Sequence, residues 1–222
     1  MPNPPRTEPH PPAVSSPAAS SPASAATRAA AAVSSAASPA LLGAACLLLA
    51  GVSAGGLTGL VWALVVAMVI LGLPMLALTM LSHRGRYADR FVPQREDRFP
   101  VYLGVAVLMA GVLALLVLGG PLVGVPSVLT LTVVLLLLGV LVLLPITLRW
   151  KVSAHSAMAG AFAIAVPVLG GGWLVALSWV VPVAVVWSRV TLRAHTFWQA
   201  VVGAWIGLVL GGCFGGAVHV LR

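Results

Sequence analysis

Long apolar runs alternate with short polar junctions along the whole chain after a polar start. The apolar runs are Leu41 to Gly55, Leu57 to Leu81, Val101 to Leu118, Val128 to Leu148, Ala157 to Leu169, Trp173 to Trp187 and Thr196 to Gly216. None shows the sustained period-two alternation of a membrane β-barrel strand, and most approach the roughly 20 residues that cross a hydrocarbon layer as a helix. The pattern predicts an all-α, polytopic transmembrane helical bundle of six to seven spans, with the first and fifth runs short enough to tilt or re-enter. Ser53, Gly55 and Gly56 supply the first turn, Gly119, Gly120, Pro121 and Pro126 a second, and Gly170 to Gly172 a third. Pro74 is expected to kink the second run.

Residues 1–38 are mostly Pro, Ala and Ser and lack an apolar core of signal-peptide length. They are expected to form a disordered tail, with an Ala-rich end that can turn helical where it meets the membrane. Residues 39–222 make up the membrane domain.

Composition sharpens this picture. Of the 222 residues, 60% are hydrophobic and only 7% charged, far from the balance of a soluble domain. The net charge of +8 does not indicate nucleic-acid binding, because the basic residues cluster at the ends of apolar runs. Cys46 and Cys213 lie inside apolar runs and read as packing residues, and no Cys/His spacing suggests a metal site. Eleven arginines against the single Lys151, with abundant alanine, point to a high-GC bacterial source and an inner-membrane location.

Three junctions hold the candidate chemistry. Arg84 to Arg98 carries Arg84, Arg86, Arg90, Arg95 and Arg98; Lys151 to His155 reads K-V-S-A-H; Ser188 to Gln199 reads S-R-V-T-L-R-A-H-T-F-W-Q. Two apolar runs separate each junction from the next, so all three are expected on one side of the membrane, while the opposite turns carry no charge. Ionisable groups at such positions are costly and are functional candidates. Arginine forks with two histidines and no acidic cluster suit a phosphate group: guanidinium groups bind its oxygens, one histidine could attack phosphorus and the other protonate the departing oxygen. Spacing places Gln199 one helical turn after His195, within reach of its imidazole. Arg84, Arg86, Arg149 and Arg193 read as headgroup anchors, and Trp150, Trp173, Trp187 and Trp198 as an interfacial belt.

These junctions resemble the motifs of the type 2 phosphatidic acid phosphatases (lipid phosphate phosphatases), which are related to the vanadium haloperoxidases. The family pattern S-R-x5-H-x3-D is matched by Ser188, Arg189 and His195, with Gln199 in place of the acid. P-S-G-H corresponds to Val152-Ser153-Ala154-His155, which keeps serine and histidine. K-x6-R-P corresponds to the loop holding Arg90, Arg95 and Arg98 before Pro100, with altered spacing and no lysine. The resemblance covers roughly residues 80 to 216.

The resemblance implies a metal-independent lipid phosphate phosphatase, with a polyprenyl phosphate among the candidate substrates and no cofactor. It makes His195 the nucleophile, His155 the general acid and Gln199 the residue that orients His195. Arg189, Lys151, Arg98 and Arg95 or Arg90 would bind phosphate, with the Ser153 hydroxyl and the Ala154 amide as further donors. A lipid phosphotransferase of the same fold and a non-catalytic lipid-binding or scaffold protein are the alternatives. The family works on the extracytoplasmic face, whereas the arginine-rich junctions favour the cytoplasmic side under the positive-inside rule.

Overall fold

The computed structural model describes residues 24–84 and 95–221, with backbone alone for 95–98. Among the described residues the protein is helical throughout, in agreement with the predicted all-α membrane bundle. Helix α1 is Ala25–Ala36 and α2 is Pro39–Ala67. A π-helical segment, Met68–Gly72, joins α2 to α3, Leu73–His83. Then follow α4 (Arg95–Leu118), α5 (Ser127–Arg149), α6 (Ala154–Gly170), α7 (Val175–Thr191) and α8 (Phe197–Leu221).

Five helical stretches are long and apolar enough to cross a membrane. The first, Pro39–His83, reverses at Gly56, whose φ of 54° and ψ of −133° take it out of helical space and into a region open to glycine. Beyond the turn the two arms lie against each other: a Cβ on Gly51 or on Gly59 would strike the other's backbone. With the two arms counted separately and the 17-residue α6 included, the seven apolar runs become seven helical rods.

The π segment has a local cause. Pro74 has no N–H to give to the preceding turn, and the ladder widens so that the Leu73 amide reaches the Met68 carbonyl.

The shortest rod is the centre of the bundle. Most of α6 is buried, and it packs on α8, α7 and α2. Alanine and glycine make this possible. Gly203 of α8 faces Ser153 and Ser156, and Gly207 and Gly211 face Ala157 and Ala161, so closely that a Cβ on Gly207 would collide with the Ala157 carbonyl, and one on Gly160 with the Ala204 carbonyl. This is the small-residue packing through which membrane helices approach.

The Ala-rich end of the expected tail is helical. Residues 25–36 form α1, capped by Ser24, whose Oγ accepts from the Thr27 amide at 3.2 Å. Alanine is the best helix former, and Ala30 and Ser34, one turn apart, are buried as α1 packs on α7. Residues 1–23 lie outside the described region.

Candidate functional site

The α7–α8 connection is a tight turn that folds back on itself. Arg193 takes a left-handed conformation with φ 52°, and the amides of Ala194 and His195 both donate to the Arg189 carbonyl, at 3.1 and 3.3 Å. Five residues of separation in sequence therefore become adjacency, and Arg189 and His195 stand at one mouth. The α5–α6 junction arrives from the other side. The Ser153 amide donates to the Gln199 carbonyl at 3.2 Å, and His195 Nδ1 lies 3.2 Å from the Lys151 carbonyl. A carbonyl can only accept, so Nδ1 is the donor in this contact, and in the neutral imidazole the lone pair is then on Nε2.

His155, in the first turn of α6, faces the same space. Burial, then the positive charge of Arg189 and the neighbouring His195, pushes its imidazole from 6.5 down to about 4, so it is neutral near pH 7. Ala154 and His155 open α6 and line the cavity, which turns the positive end of that helix toward it.

Arg189 is held by a residue that sequence reading assigned to the tail. Its Nη1 donates to Ser34 Oγ at 2.7 Å, while Nε is buried with no hydrogen-bond partner. A buried guanidinium with unmet donors is costly unless an anion completes it.

These groups line one end of a cavity of about 650 Å3. Ser34, Ser35, Ser38, Tyr102, Thr147, His155, Arg189 and His195 are its polar lining, and the remainder is almost wholly aliphatic, reaching Met109, Leu135 and Leu210. Tyr102 and Val101, early in α4, join the lining, which brings the α4 entry to the same end as the other two junctions. The opposite end is marked by Gly55 against Pro126.

The structure thus brings together His155, His195, Arg189 and Ala154, and redistributes three other expected residues. Gln199 does not orient the imidazole: its Oε1 accepts from the Thr196 amide at 3.1 Å, and its own amide donates to Thr196 Oγ1 at 3.3 Å. This is a reciprocal cap for α8, and the T-x-x-Q spacing that fits it was present in the sequence. Ser153 is fully buried and caps α6, its Oγ accepting from the amide and hydroxyl of Ser156 at 3.3 and 3.0 Å. Lys151 is exposed and acts here through its carbonyl, not as part of the cavity lining. Ser188 is fully buried with no partner for its Oγ. Arg95 and Arg98 begin α4, with their side chains outside the described region, as is Arg90 altogether. Ser34 and Tyr102 were missed; neither has a motif, and only tertiary packing brings them in.

The chain matches no family model, no curated protein and no solved structure. Function is therefore read from the site itself, where a half-buried cation and two histidines cap an apolar cavity.

Proposed function

We propose that the protein is an integral-membrane lipid phosphate phosphatase working through a phosphohistidine. The observation that supports this most is the Arg189 guanidinium, with Nε buried and unpartnered at the polar end of a cavity whose depth is aliphatic. An anionic head with an apolar tail satisfies both halves at once. Composition favours a bacterial cytoplasmic membrane as its location.

In this reading Arg189 and the N-terminal amides of α6 bind the phosphoryl oxygens and stabilise charge as the ester bond stretches. The Nε2 lone pair of His195 attacks phosphorus, with the proton on Nδ1 held by the Lys151 carbonyl. As the phosphorus–oxygen bond breaks, the departing lipid oxygen takes a proton from His155. Water then attacks the phosphohistidine, gives a proton back to His155, and inorganic phosphate leaves with His195 restored. His155 is neutral before substrate arrives. A bound phosphate offsets the charge of Arg189 and so raises the affinity of His155 for the proton it must donate.

Turnover of a panel of lipid phosphates by the purified protein tests the reading, with His195→Ala as control. Phosphate release should be lost in that variant, and vanadate should inhibit the parent protein. Acid-labile phosphate trapped on the protein by rapid quench should disappear with His195→Ala. Its persistence there, with loss in His155→Ala, would exchange the two roles. No release from any lipid phosphate would reject an enzymatic function of this class.

A further inference from the structure

We infer that the cavity accepts a single apolar chain, inserted from the cationic end, and that Met109, Leu135 and Leu210 form the floor that limits its length. This rests on the reading of the mouth as a phosphate site. The lining changes character with depth. Every polar side chain on it lies at the end that holds Arg189 and the histidines, and below Thr147 the α5 wall is Leu143, Val140, Gly139, Leu136 and Leu135. From Thr147 to Leu135 a helix descends about 18 Å at 1.5 Å per residue, deep into the bundle. The volume, about 650 Å3, falls in the roughly 300–1,000 Å3 range of sites that enclose one small ligand. That is space for one chain beside the headgroup end, not for a bulky pair.

Two features shape this space. The π segment places Ile70 and Leu71 on the wall, and α3 adds Pro74, Met75 and Leu78 while burying none of its own residues. The cavity is therefore bounded on that side by a single helix with no buried residue. Across from it, Gly139 lines the cavity, and a Cβ there would meet nothing within 4 Å. A larger side chain at 139 has room to enter the cavity without striking backbone, so this position can shorten the space while the helix packing is kept.

The test uses the full-length protein in nanodiscs and alkyl phosphates bearing a diazirine at the chain end. Octyl phosphate should photolabel near Tyr102 and Leu143, and hexadecyl phosphate near Met109, Leu135 or Leu210. Gly139→Leu and Gly139→Phe should cut floor labelling by the hexadecyl probe about tenfold or more, the scale of an overpacking penalty, and leave octyl labelling unchanged. Labelling that does not move deeper with chain length, or floor labelling unaltered in a folded Gly139→Leu protein, would overturn the inference. A diazirine-bearing hexadecanol separates the two readings. If it labels the floor as well as the phosphate does, the tail site stands and the phosphate reading of the mouth falls. If octyl and hexadecyl phosphates both bind in competition with vanadate but label only the mouth, the phosphate reading stands and the tail site falls.

Discussion

Arg189 is half-buried and held by a hydrogen bond from Nη1 to Ser34. Removing that acceptor leaves a second donor unmet and lets the guanidinium drift. Ser34→Ala should therefore raise KM for a lipid phosphate by about tenfold, the scale of a hydrogen bond to a charged group, with a smaller change in kcat; Ser34→Thr should restore it. An unchanged KM would mean that Ser34 does not position Arg189 for the ligand. Gln199 leads to a different expectation. Because its side chain caps α8, Gln199→Ala should lower thermal stability by about 1 kcal/mol, while Gln199→Glu, which can make the same reciprocal cap, should retain it. Thermal unfolding in detergent measures this, and a large loss of kcat with unaltered stability would return Gln199 to a catalytic role. His155 adds a pH dependence. Its native value lies near 4 against 6.5 unfolded, so the unfolded chain takes up the proton first; stability is held above 6.5 and lost as pH falls toward 4. Melting profiles across that window should fall more steeply for the parent protein than for His155→Gln. At this scale the sequence disclosed Arg189, His155 and His195, which line one cavity, because arginine and histidine are costly beside apolar runs. It did not disclose their partners. The acceptor for His195 is a backbone carbonyl, which every residue has, and Gln199 had two chemically reasonable uses that only the cap geometry distinguishes.

At the scale of helices, α6 and α8 hold His155 and His195 in register by near contact of their backbones. Gly207→Val places carbon against the Ala157 carbonyl and must push the helices apart. It should cost activity at least about tenfold, since small displacements of reacting groups carry penalties of that order or more. Gly212→Val, on the same helix where a Cβ meets nothing within 4 Å, should leave activity near the parent value. Equal activity of the two variants would show that the close packing does not set the site. The glycine spacing in the last run was visible in the sequence as a close-packing surface. That its partner would be the shortest run was not, since a segment too short to span a membrane alone gives no sign that it sits at the centre, and its burial comes from neighbours on three sides.

The molecule as a whole separates its two ends by charge, and that separation was legible from the even number of apolar runs between junctions. Lys151 and Arg193 are exposed at the cationic end, and Val123 is 55% exposed on the turn between α4 and α5. In a Cys213→Ser background, where the remaining Cys46 is buried, single cysteines at 151 and 193 should react with an impermeant thiol reagent from one compartment and a cysteine at 123 from the other. Reaction of 151 and 193 from opposite compartments would break the composite site. The helical end of the tail was legible in its alanines, but its docking was not, because that depends on α7, far away in the chain. Ser34 and Arg189 are 155 residues apart, and five apolar rods are synthesised between α1 and the helix that carries Arg189. The proposed anion site is therefore a late product of assembly: the earliest helix must wait at the membrane surface until α7 is in place, and a chain interrupted before that point lacks the Ser34–Arg189 contact.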